Sequence, residues 1–171
     1  MFKYAEMYVR AIEKVNTRIG SFISMVILAM IFIFIYEAVA RYVFNSATIW
    51  AIELGGFLLG GYFIMGGAYT LLRGGHVRMD ALYERWSPRR KAIMDIATFV
   101  ILVVYIGIVV WAGIKHTDIA IEIGKRAPTH WRPILWPITM VIPIGATLIL
   151  LQGIAFFIKD ISLVFRGKAL E

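Results

Sequence analysis

Cysteine is absent from the 171 residues. Disulfides, thiolate nucleophiles, cysteine-ligated zinc and cysteine-held iron–sulfur clusters are excluded with it. Charge is scarce as well: Asp, Glu, Lys and Arg make up 17% of the chain, against about 25% in an ordinary soluble domain. The three histidines, His76, His116 and His130, all lie outside the long apolar stretches, which argues against a bis-histidine haem held among helices. His-Glu-x-x-His, a glycine-rich phosphate loop and Gly-x-Ser-x-Gly are missing. No file of acidic residues runs through an apolar stretch as a proton relay would, and no pair of broken inverted repeats marks a transport site. These absences predict a protein that is not an enzyme and carries no cofactor or metal.

What fills the chain is apolar: 60% of it is Ala, Val, Ile, Leu, Met, Phe, Trp or Tyr. A domain this small cannot hide that much apolar side chain from water, and the composition is neither repetitive nor polar enough for disorder. Residues 19–36, 54–72, 96–114 and 133–158 carry no charged side chain. Crossing about 30 Å of hydrocarbon takes roughly 20 helical residues. The spacing therefore predicts an all-α integral membrane protein with four transmembrane helices, near 20–42, 50–72, 93–114 and 133–157, in a single membrane domain over 1–171. The runs do not alternate as barrel strands would, and lipid requires each span to satisfy its own backbone as a helix. Ala38-Val39-Ala40 resembles a signal-peptidase site, but the apolar stretch before it exceeds the usual h-region; the first span reads as a helix that stays.

The net charge is +7. Thirteen of the 18 Lys and Arg fall on the side that holds both termini and five on the other, so both termini are expected in the cytoplasm and no nucleic-acid partner is implied. Trp50, Trp111, Trp131 and Trp136 fall near the opposite ends of the spans, as an aromatic belt would. Residues 1–19 read as an amphipathic interfacial helix, with Lys3, Glu6, Arg10, Glu13 and Lys14 on one side and Phe2, Ala5, Val9, Ile12 and Val15 on another; its cations would meet lipid headgroups. Residues 73–92 form a basic cytoplasmic loop in which Ser87 is placed to cap the helix after Pro88. Residues 115–132, the periplasmic segment, read as a helical extension followed by a rigid return past Pro128 and Pro133. Pro143, deep in the fourth span, should kink it or free a carbonyl.

Polar groups near the span ends are the candidate contacts. Glu37 and Arg41, four residues apart, can pair on one helix face. Glu53 has no such local partner; it is either solvated or meets another helix or chain. Span two carries six glycines. At 100° per residue Gly56, Gly60 and Gly67 fall within about 40° of each other, close to Glu53. Gly56-x-x-x-Gly60 allows a neighbouring backbone to come close, within this chain or from another subunit. Three function classes fit so far: an accessory membrane subunit without a site of its own, a membrane anchor of a respiratory oxidoreductase complex, and a standalone small exporter.

Glu37-Ala38-Val39-Ala40-Arg41-Tyr42-Val43-Phe44-Asn45, followed by Trp50-Ala51-Ile52-Glu53-Leu54, resembles the first hairpin of DctQ-like small membrane subunits of tripartite ATP-independent periplasmic (TRAP) transporters. Ala68-Tyr69 through Arg73, with Gly75-His76-Val77-Arg78-Met79-Asp80, is similar to that family's segment after span two. Pro128-Thr129, Trp136-Pro137 and Val141-Ile142-Pro143-Ile144-Gly145 are similar to its approach to span four. The resemblance covers about residues 20–155 and implies an inner-membrane scaffold subunit. It implies as partners a large elevator-type permease subunit that holds substrate and sodium, and a periplasmic substrate-binding protein that captures an organic acid. Arg41, Trp50, Glu53, His76 and Asp80 match the family pattern. Glu37, Arg41, Trp50, Glu53, Gly56, Gly60 and Gly67 are the expected partner-subunit interface, and His76 and Asp80 a cytoplasmic-loop motif.

Overall fold

The computed structural model describes residues 2–75 and 86–166. Four helices account for most of them: α1 (Phe2–Tyr42), α2 (Ala51–Leu72), α3 (Pro88–Glu122) and α4 (Trp136–Arg166). All four contain stretches long and apolar enough to cross a membrane. Their outward faces would be untenable in water: Ile101, Tyr105 and Ile108 of α3 and Phe32 and Ile35 of α1 are all exposed, an apolar surface far larger than a soluble monomer carries.

The helices run on past the charge-free windows. At 1.5 Å per residue α1 is about 60 Å long, twice the hydrocarbon thickness. The amphipathic segment expected to be separate is its first half, joined to the span without a break. Nothing in 15–22 stops a helix: there is no proline, and the one glycine, Gly20, lies against the Tyr69 ring, where a Cβ would come within 2.3 Å. Similarly, Lys115 to Glu122 form the last two turns of α3. Ser87 sits at the N-cap of α3 and its carbonyl accepts the Lys91 amide at 3.1 Å, but its side chain makes no capping hydrogen bond. Pro88 occupies the first helical position, where its missing N–H is one that no intrahelical bond would have used.

In lipid, tails are as apolar as leucine, so helices associate through close packing and interhelical hydrogen bonds. Both are visible. α2 lies between α1 and α4, and α3 packs on α4. α1 runs antiparallel along α2, with Ile23 beside Gly66 and Phe34 against Gly55. α4 follows α2 in the same direction, on a ridge of every third residue: Val141 by Gly61, Gly145 on Ile64, Ile149 on Gly67. At Gly145 the helices are nearly in backbone contact, since a Cβ there would stand 2.9 Å from the Ile64 carbonyl oxygen. Pro143 lies inside α4 without ending it; it cannot donate to the Thr139 carbonyl, and Gly113 of α3 fits against its ring. The Phe99 and Phe157 rings stack at 4.3 Å and tie α3 to the C-terminal half of α4.

The first half of α1 is bound to α4 by polar contacts. Asn16 Nδ2 donates to Gln152 Oε1 at 2.7 Å, and both side chains are essentially inaccessible. Lys159 Nζ donates to Glu13 at 2.6 Å, and the Tyr8 hydroxyl donates to the Leu151 carbonyl at 3.1 Å. Going back along α1 from 16 to 13 to 8, the partners on α4 are 152, 159 and 151, so this segment crosses α4 and does not run along it. The Asn16–Gln152 bond yields a sign test. Asn16→Leu or Gln152→Leu alone strands a buried amide, at a cost of about 1–3 kcal/mol. The double leucine variant should recover most of that loss, because no amide is left to strand. Thermal midpoints of the detergent-purified variants check it; a double variant worse than either single one would refute it.

Candidate functional site

The loop between α1 and α2 is built around Glu37. Its carboxylate accepts from Arg41 Nη2 at 2.5 Å and Nε at 3.0 Å on its own helix. Across the loop it accepts from the Thr48 amide at 3.0 Å and from the Thr48 hydroxyl. Glu37 is only 5% exposed, so these bonds replace the water it has lost. Asn45 takes a left-handed backbone, φ 50°, and the Ser46 amide returns to the Ala40 carbonyl at 2.9 Å. Trp50 starts α2 with its ring stacked on Tyr36 at 5.9 Å. Glu37, Arg41 and Trp50 are thus brought together, and their contacts close this chain's own turn. Thr48 and Tyr36 complete the group without any sequence signature of their own.

Glu53, in the first turn of α2, meets Thr129, whose hydroxyl lies 2.8 and 3.0 Å from the two carboxylate oxygens. Thr129 is at the tip of a small clasp between α3 and α4. Gly124 with φ 57° turns the chain out of α3, and Lys125 and Ala127 then pair backbone to backbone with Leu135 and Pro133 at 3.0 Å. The Glu53 partner is therefore a hydroxyl on another segment of this chain, 76 residues away.

Of the three glycines on one face of α2, only Gly67 is covered, by Ile149. A Cβ at Gly56 or at Gly60 would meet nothing within 4 Å. Because α4 follows the ridge through Ile64 to Gly61, it leaves that face before reaching Gly60. The result is a cleft of about 690 Å³ floored by Gly56, Gly60 and Gly61, with Ile23 and Val26 of α1 on one side and Trp131, Pro133 and Val141 on the other. Its lining is almost wholly apolar. The sequence pattern located the glycines, but not Trp131 and Pro133, whose position depends on the clasp. His76 and Asp80 lie outside the described residues.

Among the described residues no group of three His, Asp or Glu converges as metal ligands would. The polar groups around Glu37 and Glu53 join segments of this chain, and the helices expose apolar faces and an uncovered cleft. That arrangement defines a multi-pass helical membrane protein built for packing. The sequence profile described as tripartite ATP-independent periplasmic transporters, DctQ component, matches residues 18–163, and the chain belongs to that family. It is a small permease component of a TRAP transporter, in the inner membrane. Among curated proteins none matches the chain.

Proposed function

We propose that the chain is the stationary scaffold of a secondary active transporter, with a large elevator-type permease subunit docked in the cleft over Gly56 and Gly60. The pair takes up an organic acid delivered by a periplasmic binding protein, coupled to sodium, and both termini of this chain face the cytoplasm. The observation that carries the reading is that α2 presents two glycines four residues apart to open space. Glycine costs helix stability and leaves no side chain to pack; what it supplies is an approach for another backbone, and among the described residues nothing makes that approach. Glu53, beside Leu54 and Trp131 at the outer end of the cleft, has a carboxylate that can accept a further donor from the partner. The elevator, the sodium coupling and the acid substrate follow from the TRAP resemblance; the cleft supports only the docking.

A photoreactive amino acid at Gly60 tests the docking in cells. It is expected to cross-link to the large subunit, whereas the same probe at Ile101, on the outward face of α3, is not. Cross-linking from Ile101 and none from Gly60 would place the partner on the wrong side of the bundle.

A further inference from the structure

The folded N-terminal segment sorts its charges in a way that its sequence does not. Glu13 is turned inward and neutralised by Lys159 at 2.6 Å, and Glu6, two turns earlier on the same face, is half-buried. Lys14 and Arg18 point outward and are exposed. On the same outward face lie Tyr4, Met7 and Val15, all exposed apolar side chains, while the opposite face is closed by the fully buried Val9 and Asn16. Arg10, at the edge, is already engaged within the chain. What remains outside is a strip of apolar side chains carrying two cations and no exposed acid.

Depth adds a second, independent constraint. Gly20 of α1 is level with Tyr69 of α2, so Arg18 lies level with the last turn of α2, which ends at Leu72. The polar contacts of the segment fall on residues 151–159 of α4. Twenty residues from Trp136, the roughly 30 Å of a hydrocarbon core, end near residue 156. The segment thus crosses the bundle at the level where acyl chains give way to headgroups. An apolar strip with cations at that depth fits lipid whose headgroup is anionic.

We infer that the outward face of residues 4–18 is a docking surface for anionic phospholipid, with Lys14 and Arg18 against headgroup phosphates and Tyr4, Met7 and Val15 among the upper acyl carbons. The surface shares no residue with the cleft, and the inference stands whether or not a subunit docks there. It is tested on the full-length chain in neutral detergent, by the thermal midpoint in mixed micelles with phosphatidylglycerol or with phosphatidylcholine. Phosphatidylglycerol is expected to raise the midpoint by about 4 °C or more beyond phosphatidylcholine, and free inorganic phosphate is expected to do nothing. Lys14→Gln with Arg18→Gln should cut the lipid difference to under about 1 °C, while Lys115→Gln with Lys125→Gln, at the other end of the bundle, should leave it intact. Native mass spectrometry reads the same contrast as retained phosphatidylglycerol. Equal stabilisation by the two lipids overturns the inference, as does an undiminished difference in the Lys14 and Arg18 variant. So does a variant that loses the large subunit while keeping its lipid response, which would make the strip a protein contact.

Discussion

If the large permease subunit docks in the cleft as proposed, Gly56→Leu combined with Gly60→Leu is expected to leave this chain folded and to cut co-purification of that subunit by tenfold or more, a loss of at least about 1.4 kcal/mol in association. Uptake should fall in parallel. The chain has room for both side chains, because neither glycine has a neighbour within 4 Å of where a Cβ would stand and the two face a cleft of about 690 Å³. A docked helix would have no such room: closing on a Gly-x-x-x-Gly face brings backbones together, and leucine at both positions prevents it. The measurement is a pull-down with quantified subunits, alongside the thermal midpoint of the isolated variant. An unchanged midpoint with lost partner is the expected pattern. A lost midpoint would mean that the glycines serve the chain's own packing, and an unchanged pull-down would move the partner elsewhere.

Gly145→Leu should do the opposite. The Ile64 carbonyl oxygen is 2.9 Å and its carbon 3.0 Å from the position a Cβ would take. These are backbone atoms of a membrane-spanning helix and cannot rotate away, so α4 must leave α2 to admit the side chain. Overpacking of this kind costs about 3 kcal/mol, or about 6–12 °C in midpoint for a chain of this size. The same substitution at Gly107, which has nothing within 4 Å of its Cβ position, is the control and should shift the midpoint by less than about 2 °C. Comparable losses at both positions would show that the loss does not come from the close approach of Gly145 to Ile64, since leucine is the better helix former at either position. Partner recovery should fall with Gly145→Leu only as far as folded chain is lost, which separates it from the Gly56 and Gly60 result.

These two glycine sites also mark where the sequence stops being informative. The four apolar runs were legible because a charge inside hydrocarbon is costly, so residues such as Glu53, Arg73 and Asp95 bracket the spans. The family was legible in short motifs such as those around Arg41 and Trp50. The length of α1 was not, because Arg18 ends the uncharged run while nothing near it ends the helix. Periodicity placed Gly56, Gly60 and Gly67 on one face, and they are on one face; that α4 covers Gly67 and leaves the others bare depends on its crossing ridge, which is a tertiary property. The same holds for pairs far apart in the chain. Glu53 with Thr129 and Asn16 with Gln152 join residues with no local pattern between them, and the buried Asn16 looked like any polar residue of an amphipathic helix. Ser87 shows the reverse error: it stands at the cap position, and its side chain makes no capping hydrogen bond.

The central claim is that this chain holds a partner in place and moves no solute itself. Reconstitution into liposomes tests it most directly, with a sodium gradient, the binding protein and its bound organic acid supplied outside. Vesicles holding this chain together with the large permease subunit are predicted to accumulate the acid, and vesicles holding this chain alone to accumulate none above protein-free vesicles. Accumulation by the chain alone would contradict the account.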